Sequence, residues 1–155
     1  MATSSATDLF ETIVAEAGSE SPLWGEAARA DPEREPVFGA LVPERFALGV
    51  ETIYEGYLLH YGRPRLFAPP DEDVGLLLGD YLYAHGLVRI AATGDLDAVA
   101  ALAELISVCA ALRADEASGD EEAWLDCARR LAGPSNSLLQ SDVERALASH
   151  AKLAP

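Results

Sequence analysis

Residues 76–92 read LLLGDYLYAHGLVRIAA and residues 98–112 read AVAALAELISVCAAL. Neither stretch alternates apolar and polar residues with a period of two, and neither contains proline, so both are expected as helices. Both are apolar nearly all round, and such a helix must be covered on every side. A chain of 155 residues builds one core of modest size. Two such helices therefore either fill the centre of the bundle or also form a subunit interface, and the interface is the preferred reading.

The flanking residues punctuate these helices. Asp71 to Asp73 supply acidic first-turn residues, Gly94 stops the first helix near Thr93, and Asp95 caps the second, expected over about 96–117. Upstream, Pro43 suits the first position of a helix running from Glu44 to Tyr61, with Phe46, Val50, Ile53, Tyr54, Tyr57 and Leu58 on a broad apolar face. GRPRLFAPP at 62–70 is a rigid break. Nearer the start, Thr7 or Asp8 caps a short helix with Leu9, Phe10, Ile13 and Val14 inward, ended by Gly18. Residues 18–43, with Pro22, Pro32, Pro36 and Pro43, read as a loop-rich entry with a short helix at 23–30, pinned by Trp24 and Phe38. Downstream, Asp120 caps a helix ended by Gly133-Pro134, and residues 141–153 form a short last helix with a frayed tail. The expectation is an all-α bundle of one domain over 1–155: a loop-rich segment to 43, the main helices over 44–132, and a tail helix in 133–155.

Composition narrows the function. Eleven basic residues face 26 acidic ones, for a formal charge of −15. Such a surface repels phosphate backbones, which argues against nucleic acid as a partner. No apolar run approaches the roughly 20 residues of a membrane span, and MATSSATDLF lacks the basic and apolar regions of a signal peptide, so a cytoplasmic protein is expected. Cys109 and Cys127 are too few for a zinc site and are expected as buried free thiols.

Phosphate-loop, dinucleotide, serine-hydrolase and zincin motifs are absent, and His60, His85 and His150 are scattered. One constellation stands out. Glu51 and Glu55 lie one turn apart on a helix face, followed by His60, Gly62, Arg63, Pro64 and Arg65. Paired carboxylates can hold a hard cation such as Mg2+, and Arg63 and Arg65 can grip a diphosphate through forked hydrogen bonds. The bland alternative is a solvated face with an arginine-bearing loop.

This order of residues resembles the polyprenyl diphosphate synthases. That family carries DDxxD on a long helix, then paired arginines and G-x-P-T, then a stretch close to A-x-L-x-G-D-x-L-x-x-A. Here ETIYE at 51–55 is followed by HYGRPR at 60–65, by LLLGDYLYA at 76–84, by the Gly94-Asp95 turn and a long apolar helix, and by DEEAWL at 120–125. The resemblance covers about residues 40–132 and implies a bundle like the N-terminal half of the isoprenoid synthase fold, with the apolar helices at a dimer contact. The departures bear on activity. Glutamates stand for the aspartates, His60 and Tyr61 for the arginines expected to hold diphosphate, and no second aspartate-rich cluster follows. Ionising an allylic diphosphate takes several Mg2+ ions between two carboxylate clusters.

The resulting expectation is a non-catalytic, synthase-like subunit or regulator in isoprenoid biosynthesis, working as a homodimer or as a hetero-oligomer with a full-length prenyl synthase. No cofactor is expected, Mg2+ being the one ion the carboxylates could take. The rivals are a protein that binds isoprenoid diphosphates or prenyl chains, a Mg2+-dependent prenyl transferase, and a helical assembly protein without a ligand.

Overall fold

Proline and glycine decide where this chain can be helical. In the computed structural model, which describes residues 2–155 and side chains from Leu9 onward, the described residues form seven α-helices and one 3₁₀ turn. The helices are α1 (Ala2–Glu20), α2 (Pro22–Glu26), α3 (Glu44–Tyr61), α4 (Glu72–Ala91), α5 (Leu96–Ala114), α6 (Asp120–Ala132) and α7 (Gln140–Leu153), and the 3₁₀ turn spans Phe38–Leu41. No strand forms among the described residues; extended chain meets once, at an antiparallel bridge between Ala28 and Phe67. The all-α expectation is met, and no helix in the described residues is long and apolar enough to cross a membrane.

The short helix expected over 23–30 ends already at Glu26, and the one expected over 96–117 ends at Ala114. Three further differences have local causes. First, α1 begins at Ala2 instead of after Thr7 or Asp8, whose side chains lie outside the described residues, because nothing upstream breaks a helix. Nor does Gly18 end it: its Cα faces Gly25, and a methyl group there would lie 3.6 Å from the Gly25 Cα, so the glycine serves the crossing with α2. The stop comes from Pro22, which forces Ser21 into an extended conformation (φ −153°, ψ 133°) where its hydroxyl caps α2. Second, Pro43 precedes the first turn of α3. Third, Asp120 is the first residue of α6 and is not its cap; Gly119, at φ 135°, takes the cap position and frees the Asp120 carboxylate for other bonds. The expected cap at Asp95 is present, accepting from the Ala98 amide at 3.0 Å, and Asp71, expected in the first turn, is itself the cap of α4, accepting from the Val74 amide at 2.9 Å.

The centre of the bundle is α3, where every residue from Gly49 to Leu58 is buried. Its most extensive neighbour is α4, and the contact rests on four glycines in antiparallel register. Gly49 faces Gly86 and Gly56 faces Gly79. A methyl group on Gly56 would lie 2.9 Å from the Gly79 carbonyl oxygen and 3.0 Å from the Tyr83 ring, and one on Gly49 would meet Ile90 and the Gly86 carbonyl. The absence of Cβ atoms lets the two backbones approach closely. Gly79 also leaves room for the His60 ring, which stacks on Tyr83 at 5.0 Å.

Two apolar clusters flank this pair. The larger joins α3 to α5, α6, α7 and the 3₁₀ turn through Phe38, Tyr54, Leu102, Leu105, Trp124 and Leu131, among others. The smaller packs Phe10, Ile13 and Ala17 of α1 on Leu66, Phe67, Leu78 and Leu82. Phe38 is fully buried and Trp24 stacks on Tyr81 at 6.1 Å, so both aromatics of the entry segment pin it as expected. The tail is no fringe: His150 and Leu153 of α7 are buried. Each of the two apolar helices keeps large apolar residues exposed. Leu77 is 56% exposed, Val88 63% and Leu96 78%.

Overpacking a close helix contact costs roughly 1–3 kcal/mol. Gly56→Ala should therefore lower stability by about that amount in urea unfolding. Gly18→Ala, whose added methyl group would lie at an ordinary contact distance of 3.6 Å from the Gly25 Cα, should cost less, since alanine is also the better helix former.

Candidate functional site

The four residues singled out from the sequence do not form one ligand site. Glu51 and Glu55 project from the buried side of α3 and are fully enclosed, as is Arg65. Arg65 Nη1 lies 2.6 Å from Glu51 Oε1, and its Nε lies 3.2 Å from Glu55 Oε1. The remaining carboxylate oxygens are occupied by backbone. Glu51 Oε2 accepts from the Val37 and Gly39 amides at 3.1 and 2.6 Å, and Glu55 accepts from the Arg65 and Leu66 amides at 3.2 and 2.8 Å. Arg65 also donates to the Glu35 carbonyl at 2.8 Å, and its Cζ lies 5.0 Å and 5.2 Å from the ring centres of Tyr54 and Phe10.

The triad is thus a fastening between α3 and two loops. Glu51 holds residues 37–39, Glu55 holds 65–66, and Arg65 joins both carboxylates. Gly39 is required there, since a methyl group on it would lie 2.6 Å from the Glu51 side chain. Burial disfavours the charge on Arg65, but the two carboxylates more than offset this and raise its pKa above the ordinary arginine value. A Mg2+ ion at this carboxylate pair would have to displace the guanidinium and four amide donors. Arg63 points elsewhere: it is exposed and pairs with Glu33 at 2.7 Å. His60 and Asp80, which stand in the other family-like motifs, meet on the opposite contact of α3, with Nε2 3.0 Å from Oδ1. Among the described residues no three of His, Cys, Asp and Glu group as a metal site.

A second polar cluster lies on an adjoining side of α3. The Tyr57 hydroxyl donates to Asp120 Oδ2 at 2.5 Å, Arg113 Nε donates to the same oxygen at 2.7 Å, and Arg113 Nη2 donates to the Tyr57 oxygen at 3.1 Å. One turn earlier on α3, the Tyr54 hydroxyl pairs with His150 Nδ1 at 2.7 Å. Stacked and edge-on rings fill the space between, with Phe38 on Trp124 at 5.2 Å and Tyr54 on Trp124 at 5.0 Å. Arg113, Ser118, Asp120 and His150 line an open cleft of about 570 Å³. Burial, reinforced for Tyr57 by the Asp120 bond, raises the pKa of both tyrosines, so both hydroxyls stay neutral.

Sequence reading missed this cluster because its members come from four helices. The one local signal was that Asp120 is preceded by Gly119, which can itself take the cap. Cys109 and Cys127 are buried free thiols, as expected; burial pushes each up to about 12, which makes them poor nucleophiles.

Two outcomes follow. Arg65→Met should cost about 3–5 kcal/mol in chemical denaturation, because it strands two buried carboxylates. His150 titrates below its ordinary 6.5 because of burial, with Asp120 opposing and Arg113 adding to the shift. The unfolded chain therefore binds a proton that the folded chain resists. Its contribution to stability is full above about pH 6.5 and is lost as pH falls from there toward the folded value. In His150→Gln, unfolding measured at pH 7.5 and pH 5.5 should show a smaller loss on acidification than the unaltered chain.

Comparison with known proteins finds no matching family model, no matching curated protein and no matching solved structure. The likeness to polyprenyl synthases therefore stands on the quoted motifs alone.

Proposed function

We propose that this chain acts by association, as a subunit that dimerises through the outer faces of α4 and α5. The observation that carries this reading is the exposure of large apolar residues on the two most apolar helices, Leu77 and Val88 above all. Around them the surface is built from small residues, among them Ala84 and Ala91 of α4 and Ala103 and Ala110 of α5. Nearby, the His85 ring and the Arg89 guanidinium are engaged by Glu16 of α1. The one carboxylate between Leu77 and Ala84 on α4, Asp80, is 69% exposed and is engaged by His60.

Its size suits the role. A 20-residue helix is about 30 Å long, and two helices side by side are about 20 Å wide, giving a face on the order of 600 Å². A standard interface takes about 800 Å² from each partner.

The positive use found for Glu51, Glu55 and Arg65 supports association over prenyl transfer, since the groups that would hold Mg2+ and diphosphate are tying loops to α3. The polyprenyl-synthase likeness gives the proposal a more specific form, in which the same face also docks on a full-length prenyl synthase. What favours that form is the order of the quoted motifs. Its direct check is mixing: the chain should alter the product length or activity of a co-expressed synthase while forming no product by itself from isopentenyl and allylic diphosphates with Mg2+.

Sedimentation at micromolar concentration should give twice the 16.4 kDa chain mass. Leu77→Glu and Val88→Glu should shift the equilibrium to monomer with stability changed by no more than about 0.5 kcal/mol, since both sites are exposed. A monomer at all concentrations would overturn the dimer.

A further inference from the structure

A different surface, on the flank of α5 where it meets α6, carries a groove of about 420 Å³. Its floor is apolar: Ala101, Leu105, Val108 and Leu112 of α5 line one side, and Ala123 and Cys127 of α6 the other. Val108 is 39% exposed. The rim is acidic, with Glu104, Glu122 and Asp126 against Arg130 as the one cation of the lining. Arg130 pairs with Glu104 at 3.2 Å, but both side chains are at least half exposed, and such pairs hold weakly. The exposed Glu122 forms no ion pair with another described residue.

The spacing of the floor defines what fits. Residues 101, 105, 108 and 112 repeat at helical intervals over about 17 Å, three turns of a helix. Parallel walls from two helices with an apolar floor accept a third helix that presents anchors at i, i+3 or i+4, and i+7. The rim selects its charge, because unlike charges facing across a rim steer the partner and like charges reject it.

We propose that this groove docks a basic amphipathic helix of a partner protein, with its apolar face on Val108 and Leu112 and its Lys or Arg flanks against Glu104, Glu122 and Asp126. A second copy of this chain does not meet the requirement. None of its helices carries a net positive charge, and the chain holds one lysine, Lys152. The groove is lined by α5 and α6 and includes neither Leu77 nor Val88 of the proposed dimer face.

The test uses the full chain and a fluorescent 12-residue helical peptide with leucine on one face and lysine on the flanks, read by anisotropy at physiological salt. It should bind saturably. The same peptide with glutamate for lysine should not bind, and one with serine for leucine should bind at least about tenfold more weakly, since apolar anchors carry most of such an interface. Val108→Asp, and the pair Glu122→Lys with Asp126→Lys, should each weaken binding by about tenfold or more. The pair Glu72→Lys with Asp73→Lys, an equal charge change at the exposed start of α4, should leave it unchanged. Equal losses from the two charge reversals, or full binding by Val108→Asp, would show only general attraction to an acidic protein and overturn the proposal. Amide shift mapping on the unaltered chain gives a readout that needs no variant: shifts should centre on Val108, Leu112 and Glu122, and shifts centred elsewhere would refute the site. Sedimentation of the same samples reads the dimer independently, so either idea can fail without the other.

Discussion

One buried guanidinium holds this molecule's parts in register. Arg65 reaches Glu51 and Glu55 in the interior of α3, where neither charge meets water. A buried ion pair gains stability only when its desolvation is repaid by close geometry and by bonds to every remaining oxygen. Here backbone amides complete the set. Val37 and Gly39 come from one loop, Arg65 and Leu66 from the other. The two loops also pair with each other, the Arg29 amide donating to Leu66 and the Ala68 amide to Ala27. Long connections that would otherwise be free to move are thus stitched to the central helix. The entry segment then becomes part of the core, and Phe38 stacks on Trp124 from the far side of the chain.

The second constraint is the glycine contact between α3 and α4. It places α4 so near the central helix that the side chains flanking the glycines fill the space around the contact. Leu78 and Leu82 turn inward, while Leu77 and Val88 stay outside. The helix that is apolar on all sides therefore ends half covered. α5 behaves in the same way, with Leu102, Leu105 and Cys109 inward. Burying both helices completely would need another layer: α1 covers the Leu78 and Leu82 side of α4 and α6 one flank of α5, which leaves Leu77 and Val88 outside. The exposed face follows from the tight packing within.

The residues that suggested a ligand site illustrate how one pattern serves two chemistries. Carboxylates one turn apart followed by arginines describe a metal and diphosphate site, and they equally describe an internal salt bridge. What separates the two is whether the arginine folds back onto its own carboxylates. The loop at 62–68 does so, and Gly39 makes the space on the other side. Gly79 and Asp80, the centre of the most family-like stretch, are likewise occupied locally, one making room for the His60 ring and the other pairing with it.

What the sequence by itself determined is the local order of the molecule. Apolar periodicity, prolines and capping residues such as Asp71 and Asp95 act within a few positions, so the helices and most of their ends were legible, as was the buried state of both cysteines. The start of α1 was not, because alanine, serine and threonine permit a helix without announcing one. Nor was the role of Asp120, since an acidic residue at a helix start serves equally as a cap or as a first-turn residue. Only the tertiary structure decided which surface of each helix is covered. The register of Gly49 with Gly86, the return of Arg65 to Glu51 and Glu55, and the meeting of Tyr54 with His150 across 96 positions are contacts between distant segments. No local pattern encodes them, because each depends on how several helices pack at once.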